Sequence, residues 1–394
     1  MIKIDNIKNL YNELQISRRY LHENPELGFN LPNTRNYVKH KLIEFGITDI
    51  IEVGQSSLVA TIVNKKGPII GLRADMDALP MKEETKNIGY CSKNNQLMHA
   101  CGHDAHIAIL LSAAHYLSMH LSDWEGTVKF IFQEAEEGPL PGGAQTIVES
   151  GVVDDIDVFF GLHCAPNLKT GTFSIKPGEA LASADTFKIT LIGKGAHAAY
   201  PHLSIDPIIM LAETIVGIQT IASRRIDPTD NCVVTVAQVH SGTTHNIIPE
   251  SAYLEGTVRT FSQLVRNKIK DEIEKTLISI TTRYGGEYSY DFIKGYDPLI
   301  NQIDPTTYLQ EIIVESFGKS ALIVPLKPSM GAEDFSRYIN HKTGAFVWLG
   351  TSNSTETNYG LHHPMFNIDE EAMLYGTTLM INLVMNNHNI KEKL

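Results

Sequence analysis

The sequence predicts an α/β protein in which a smaller α+β unit interrupts a larger α/β domain. Short β-rich segments alternate with amphipathic segments along the 394 residues, which is typical of an α/β protein. The middle of the chain instead predicts the order strand, helix, strand, strand, helix, strand of a ferredoxin-like unit. The length also favours two domains, because a domain typically has about 100 to 200 residues.

The first part of the chain predicts a sheet covered by helices. The predicted helices are 4–21, 32–45 and 105–119, and the predicted strands are 57–63, 69–73, 127–132 and 158–162. These strands are short and apolar on both faces, as strands between two helical layers are.

The middle of the chain supplies the inserted unit. Its predicted strands are 186–192, 232–239, 252–259 and 287–294, and its predicted helices are 207–223 and 263–284. Asp206 before Pro207 predicts the start of the first helix, because the carboxylate can cap it and Pro fits the first turn. We therefore predict one domain from 1–185 and 297–394 and an inserted domain at 186–296.

Composition and charge limit the possible partners. The chain is 43% hydrophobic and 20% charged, which excludes a collagenous or mainly disordered protein. A net charge of −12 argues against nucleic-acid or anionic-membrane partners. Polar residues interrupt the first 15 residues and every apolar window, so we expect neither a signal peptide nor a membrane span, and we expect a cytoplasmic protein. The four cysteines form no C-x-x-C pair, so a reduced thiol can serve as a ligand.

The segment MHACGHDAH, residues 98–106, is the sharpest chemical signal. Cys101 and His103 lie two residues apart just before a predicted helix, and Cys and His donors at such spacing suit a divalent metal of zinc type. A buried cysteine with helix-capping polar neighbours is the alternative. Three histidines within the segment favour the metal.

The segment FQEAEEG, residues 132–138, follows an apolar strand directly. Carboxylates at the end of a buried strand are costly unless a positive charge neutralises them. In extended backbone Glu136 and Glu137 would point to opposite sides, one as metal ligand and one as proton carrier. A solvated acidic turn is the alternative.

Two further histidines follow predicted strands. His163 comes directly after the strand 158–162, at the edge where open α/β sheets place their sites. His362, in the segment LHHP at 361–364, follows a polar loop after a predicted strand at 345–349. Each alone is typical of a solvent-exposed loop histidine, but four such elements at strand and helix ends favour one shared site.

Together these segments resemble the amidohydrolase branch of the M20 metallopeptidase family. The resemblance rests on RYLHENPELG (19–28), GLRADMDALP (71–80), MHACGHDAH, FQEAEEG, GLH (161–163) and LHHP, in this order along almost the whole chain. It implies a zinc-peptidase-like catalytic α/β domain with an inserted ferredoxin-like α+β domain that acts as a lid and in dimerisation.

The resemblance also implies a two-metal site. The implied ligands are Cys101, His103, Glu137, His163 and His362, with Glu136 as the general base. Zinc is favoured, with manganese, cobalt or nickel as alternatives. Asp77 is similar to the family carboxylate that orients a ligand histidine, and Asp75 is a candidate for the same network.

The inserted domain carries family-like segments as well. In GKGAHAAYPH (193–202), the resemblance implies that His197 stabilises the oxyanion, often in the active site of a partner subunit. Asn246 in HNIIP and Arg259 in GTVR are similar to residues that bind the substrate carboxylate, with a turn Asn and an exposed strand Arg as the alternative. The family-like segment GAEDF (331–335) is expected to line the site.

Two features depart from the family pattern. Glu134 stands where the family usually has proline, which we interpret as an added carboxylate near the base. Pro139 and Pro141 lengthen the usual glycine-rich stretch beside the metals. Neither removes a ligand, so both concern substrate preference.

The implied activity is metal-dependent hydrolysis of the linear amide bond of N-acetyl or N-aroyl amino acids. A carboxypeptidase acting on short peptides is the runner-up, and a non-catalytic metal-binding member is a third possibility, which the intact Glu136 disfavours. Cys101 could instead be a nucleophile paired with His103. We expect a small-molecule substrate and a homodimer or tetramer, because exposed lid strands often pair with another subunit.

Overall fold

The polypeptide folds into two units, the second formed mainly by the middle of the chain. The computed structural model describes residues 1–85, 88–325, 327–387 and 390. The first unit comprises Met1–Ala180, Ile300–Lys327 and Asp334–Leu394, and the second comprises Leu181–Leu299 and Pro328–Glu333. The predicted mixed α/β class is confirmed.

Regular elements occur throughout both units. The α-helices are α1 Ile4–Ile7, α2 Tyr11–Glu23, α3 Pro32–Glu44, α4 His103–Met119, α5 Gly143–Glu149, α6 Pro207–Arg224, α7 Gln263–Tyr284, α8 Ile303–Phe317, α9 Ser336–His341 and α10 Ala372–Met385. The strands are β1 Ile50–Val53, β2 Ser57–Val63, β3 Ile69–Asp75, β4 Thr127–Gln133, β5 Val158–Lys169, β6 Phe173–Ser174, β7 Gly178–Leu181, β8 Asp185–Ile192, β9 Ala196–His197, β10 Cys232–Ser241, β11 Ile247–Ile248, β12 Ser251–Thr260, β13 Glu287–Ile293, β14 Leu299–Asn301, β15 Leu322–Ile323 and β16 Thr343–Ser352.

The sheet of the first unit has the order β1-β2-β4-β3-β5-β16-β6-β15. Its central strands β4, β3, β5 and β16 run parallel. Asp75 pairs with Gln133, and His163 pairs with Trp348, so the ends of β3 and β4 lie near the middle of β5. Functional sites of open α/β sheets form at this carboxyl edge.

Helix α4 packs against the sheet beside this edge. Beyond its polar first turn it is largely apolar, and a helix of that kind is stable only when other elements cover most of its surface. Its residues from His103 to Ala114 are buried, and it packs against α2, α10 and β3. Its first turn is therefore held rigidly beneath the carboxyl edge of the sheet.

The second unit contains a four-stranded antiparallel sheet in the order β10-β12-β8-β13. This is the strand order of a ferredoxin-like unit, as predicted. Helices α6 and α7 cover one face through a core that includes Phe187, Leu254 and Ile273. The Asp206 carboxylate accepts a hydrogen bond from Ile208 N at 2.9 Å and begins α6, which confirms the predicted cap.

The structure corrects two local predictions. The predicted helix 4–21 is interrupted, because a 3₁₀ turn at Lys8–Leu10 separates α1 from α2 and the Ile7 backbone departs from helical geometry. The strand predicted at 158–162 continues to Lys169, so His163 lies within β5. The sequence pattern marks neither the interruption at Lys8–Leu10 nor the true end of β5, because apolar residues recur beyond both points. Among the described residues, no helix combines the length and apolar character needed to cross a bilayer.

Candidate metal centre

Four separate segments of the first unit bring metal-ligating side chains together. Their possible ligand atoms form three overlapping sets. Within each set, all the atoms lie within 4.8 Å of one another. The sets are Cys101, His103 and His163; Cys101, Glu137 and His362; and His103, Glu136 and Glu137. All five predicted ligands and the predicted base thus belong to one continuous cluster.

The turn before α4 places Cys101 and His103. Gly102 has a left-handed backbone with φ 89°, and a Cβ atom there would lie 3.0 Å from the Cys164 side chain. Glycine meets both demands because it has no Cβ. The chain therefore reverses tightly at Gly102 and directs the thiol of Cys101 and the ring of His103 into the cluster.

The His103 ring is oriented for binding through Nε2. Its Nδ1 lies 2.7 Å from the carbonyl oxygen of Asp77, so Nδ1 carries the proton and donates. Its Nε2 is buried and has no hydrogen-bond partner among the described residues. Burial opposes protonation of the ring, but the charges of Asp75, Asp77 and Glu137 raise the pKa of His103 to about 10. This surplus of negative charge indicates a site for a cation.

His163 is oriented in the same way. Its Nδ1 donates to the backbone carbonyl of Cys164 at 2.8 Å, and its Nε2 lies 3.3 Å from Cys101 Sγ. Burial, with the neighbouring His106, lowers the pKa of His163 to about 3, so the ring is neutral. A neutral imidazole with one nitrogen fixed by a carbonyl is the usual form of a histidine ligand.

The Glu136–Glu137 pair lies in a sharp bend. Ala135 before it has φ 52°, and the Asp77 carboxylate accepts hydrogen bonds from the N–H groups of Glu136 at 2.9 Å and Glu137 at 3.0 Å. The extended backbone assumed from the sequence is therefore wrong, because this carboxylate folds the segment around itself. The two side chains still contact different histidines: Glu136 Oε2 lies 4.0 Å from His103 Nε2, and Glu137 forms a closer contact with a second histidine.

That second histidine is His362. Its Nε2 lies 3.0 Å from Glu137 Oε1, and about half of its side chain is exposed. Its backbone is left-handed with φ 62°, and its N–H donates to the carbonyl of Ala100 at 2.8 Å. Strained backbone of this kind is concentrated at functional sites. This backbone conformation places the ring of His362 beside the segment that carries Cys101.

These side chains fit divalent cations. The cluster combines thiol, imidazole and carboxylate donors, the set that zinc accepts. Cys101, His103 and Glu136 are almost fully buried, and an isolated charge there would be costly without an opposite charge. The unpartnered Nε2 of His103 points into the same cluster.

Two neighbouring histidines have other environments. His106 donates from Nδ1 to Asp75 at 2.6 Å and accepts from the N–H of Cys164 at 2.9 Å, so both of its ring nitrogens are used. It holds α4 against β3 and β5. Asp75 also binds Arg73 at 2.7 Å. His99 is buried, and in the described part of the chain neither of its ring nitrogens has a hydrogen-bond partner, which nothing in the structure explains.

Glu134 does not add a carboxylate beside the base, contrary to our interpretation of the sequence. Its carboxylate accepts hydrogen bonds from the N–H groups of Gln55 and Ser56 in the turn between β1 and β2. Gly54 in that turn has φ 63°, and a Cβ atom there would collide with Glu134 Oε1. Glu134 therefore stabilises the turn between β1 and β2. This role could not be predicted from the sequence, because the turn lies far from Glu134 along the chain.

Asp334, in the segment expected to line the site, is buried in the first unit. It accepts hydrogen bonds from Arg73 at 2.9 Å, from Gln133 and from the N–H of Ala144. Burial raises the pKa of Asp334 to about 6, although Arg73 acts against it. Asp334 braces β3 and β4 beneath the site.

The predicted substrate-binding residues belong to the second unit. His197 on β9 pairs with Ile247 on β11, and the carbonyl of Asn246 accepts a hydrogen bond from Ala198 N at 3.0 Å. The exposed His197 ring accepts from the N–H of Ala199 at Nδ1, so its neutral form carries the proton on Nε2. Arg259 on β12 is partly buried, and burial lowers its pKa.

Comparison with known proteins identifies the family. The profile described as Peptidase family M20/M25/M40 matches residues 71–386. The chain belongs to this family. The sequence resemblance to M20 enzymes is therefore confirmed.

Individual M20 relatives are similar over nearly the whole chain. N-acetylcysteine deacetylase of Bacillus subtilis is 38% identical over 369 residues, which are 93% of this chain and 94% of that protein. Thermostable carboxypeptidase 2 of Saccharolobus solfataricus is 37% identical over 363 residues, 91% of each. The solved structure of YXEP from Bacillus subtilis, described as a dinuclear metal binding peptidase of the M20 family, is 33% identical with a TM-score of 0.84, covering 98% of this chain and 100% of that one.

Residues outside the predicted site also contact its segments. Arg18, His22 and Asp104 form a buried polar cluster next to His103. The signal in the sequence was the RYLHENPELG segment, which carries His22 but no metal ligand. Arg18 immediately precedes that segment, and only its complete burial reveals its importance.

Proposed function

We propose that this M20 protein hydrolyses the amide bond of N-acyl amino acids with the help of two divalent cations, releasing a carboxylic acid and a free amino acid. The observation that carries this proposal is the convergence of Cys101, His103, Glu137, His163 and His362 around Glu136. The deacetylase relative from Bacillus subtilis supports an N-acyl amino acid as substrate.

In this proposal the five side chains hold the cations. When bound, a divalent metal can lower the pKa of a coordinated water to about 7 and polarise a substrate carbonyl. The thiol of Cys101 binds as a thiolate, because ligation deprotonates a coordinating thiol. Zinc is the preferred ion on this donor set, and manganese, cobalt or nickel are alternatives.

Glu136 is the proposed general base and acid. Its carboxylate takes a proton from the attacking water and later delivers it to the nitrogen of the departing amino acid. The bend fixed by Asp77 supports this role, because it holds the Glu136 backbone in place while the side chain stays within the cluster. Asp77 also orients His103 through its carbonyl oxygen.

Residues of the second unit are proposed to bind the substrate. The exposed Nε2–H of His197 is a suitable donor for a developing oxyanion. Arg259 and Asn246 are proposed to bind the amino-acid carboxylate. Among the residues that the structure describes, no carboxylate lies within ion-pair distance of the Arg259 guanidinium, which leaves it available to an anion.

The organisation around this activity is also a proposal. Residues 1–185 and 297–394 form the catalytic domain, and residues 186–296 act as a lid and in dimerisation. The edge strand β10 supports a homodimer or tetramer, because it pairs with β12 on one side only in the described sheet. The protein acts in the cytoplasm on a small molecule, without a nucleic-acid or membrane partner.

A carboxypeptidase activity on short peptides is the second candidate. The carboxypeptidase relative from Saccharolobus solfataricus favours it, and a short peptide presents the same free carboxylate as an N-acyl amino acid. The two candidate substrates differ in the acyl group: it is an amino-acid residue in a short peptide, and an acetyl or aroyl group in an N-acyl amino acid.

A substrate panel with metal analysis tests the proposal. We expect about two metal equivalents per chain and a higher kcat/KM for N-acetyl or N-benzoyl amino acids than for dipeptides. A chelator should abolish turnover, and added zinc, manganese or cobalt should restore it. Activity that survives complete metal removal would instead support Cys101 as a nucleophile, and a preference for dipeptides would support the carboxypeptidase.

A further inference from the structure

Arg18 on α2 is completely buried and binds several segments at once. Its Nε lies 3.2 Å from Asp104 Oδ2, its Nη1 lies 3.1 Å from Glu370 Oε1, and its Nη2 donates to Asn367 Oδ1 at 2.7 Å. Its Nη1 also lies 3.1 Å from the hydroxyl of Tyr90. A buried guanidinium is stable only when its donors are satisfied in this way.

One end of this network reaches the first turn of α4. Asp104 follows His103 directly, and its carboxylate also accepts a hydrogen bond from His22 Nδ1 at 2.8 Å. The other ring nitrogen of His22 lies 3.2 Å from Glu83. Asp104 is thus held by two groups of α2, and its position fixes the start of the helix from which His103 projects.

The other end reaches the segment that carries His362. Asn367 lies five residues after His362, and Glu370 comes just before α10. The ring of Phe366 lies near Gly102, so the two ligand-bearing segments also pack together. Arg18 therefore bonds to both segments with one rigid, positively charged group.

We propose that Arg18 is a positioning residue that sets the separation between His103 and His362 and thereby the affinity of the metal site. This inference rests on the proposed two-metal function. A guanidinium is a planar fork with donors in fixed directions, whereas a lysine ammonium is a single point on a flexible stem. Lysine at this position keeps the charge but cannot bind Asp104, Glu370 and Asn367 together.

The test is metal retention by the intact, metal-loaded protein. Wild type and Arg18→Lys are titrated with a chromophoric chelator while circular dichroism follows the fold. We expect the variant to remain folded and to release at least one metal equivalent with an affinity roughly 10-fold to 100-fold weaker, the range found when groups supporting metal ligands are altered.

Two arginines provide matched controls. Arg19 also binds Glu370, at 2.6 Å, but has no contact with Asp104 or Asn367 among the described residues. Arg266 in the second unit is equally buried, with ion pairs to Asp185 and Asp297. Arg19→Ala should retain metal as wild type does. Arg266→Lys should lower the melting temperature without weakening metal binding.

The outcomes separate this inference from the proposed function. Unchanged metal affinity in folded Arg18→Lys overturns the positioning role, as does an equal loss of affinity in Arg266→Lys. If Arg18→Lys does not fold, Asn367→Ala decides, because it removes the bond from Arg18 Nη2 on the His362 side and leaves the bond from Arg18 to Asp104 in place; weaker metal binding supports the role and wild-type binding refutes it. Wild type that binds no metal would refute the two-metal function itself.

Discussion

The carboxylate of Asp77 accepts a hydrogen bond from the backbone N–H of Glu136 at 2.9 Å. The same carboxylate binds the next N–H, that of Glu137, through its other oxygen. A single side chain from the loop after β3 therefore determines the path of the segment that supplies both the proposed base and a proposed ligand. The backbone carbonyl oxygen of Asp77 accepts a hydrogen bond from His103. Asp77 therefore contacts the cluster on two sides.

Asp77→Asn should lower activity while the protein remains folded. The amide offers one acceptor oxygen where the carboxylate offers two, so one backbone N–H in the Glu136 bend loses its partner. We expect kcat to fall by about 10-fold to 100-fold, as for other groups that support metal ligands. Steady-state kinetics and metal analysis of one preparation measure this. A wild-type kcat would show that the bend does not depend on the carboxylate.

Glu136→Gln should retain metal and lose turnover. The substitution keeps the size of the side chain but removes its ability to accept a proton, and general acid–base catalysis contributes about 10²-fold to 10⁴-fold. We expect kcat to fall by at least this factor with an unchanged metal content.

Glu134→Gln is the matched control for the base. It makes the same chemical change two residues away, in a side chain that binds the β1–β2 turn. We expect roughly 1–3 kcal/mol of lost stability, because a buried backbone N–H loses its acceptor, with kcat preserved in the folded protein. Equal losses of kcat in the two variants would contradict the assignment of Glu136.

Gly102→Ala should destabilise the protein and weaken metal binding. A left-handed backbone costs a residue with a Cβ about 1–2 kcal/mol, and the new methyl group would also press on Cys164. Gly285→Ala isolates the first effect, because Gly285 has φ 74° and open space around its Cβ position. Thermal unfolding should show a larger loss for Gly102→Ala, and metal affinity should change only there. Equal behaviour would mean that the turn at Gly102 does not position the ligands.

His197→Ala should lower kcat without changing metal content. Removal of one oxyanion donor typically costs about 10²-fold to 10³-fold in kcat. His202→Ala is the control, since His202 is an exposed histidine five residues along the same segment and has no proposed role. A change confined to KM, or an equal effect in the control, would argue against oxyanion stabilisation by His197.

Local patterns in the sequence predicted much of the fold. The predicted strand 57–63 and helix 263–284 agree with β2 and α7 at both ends. In β2 the first four residues are buried, and in α7 the agreement reflects the Ser262 cap and the left-handed Gly285 at the helix end. Helix α5 was not predicted, because it is short and begins within a glycine-rich turn.

The sequence predicted the residues proposed as ligands and the supporting Asp77, but it did not predict the roles of Arg18 and Glu134. Cys101 and His103 are close in sequence, so their spacing alone indicates a site. The bond from Arg18 to Asn367 joins residues 349 positions apart, and neither residue type suggests a pair. The role of Glu134 is hidden in the same way, since its partners are the N–H groups of a distant turn. Such contacts depend on the tertiary fold.

The hydrogen bond from His362 N to Ala100 O also constrains the order of events during synthesis. The ribosome delivers the N-terminal side first, so Cys101, His103, Glu137 and His163 emerge while His362 is still to be made. A nascent chain that has not reached His362 therefore exposes the Cys101 thiol and the Glu137 carboxylate without the histidine that contacts this carboxylate in the folded protein.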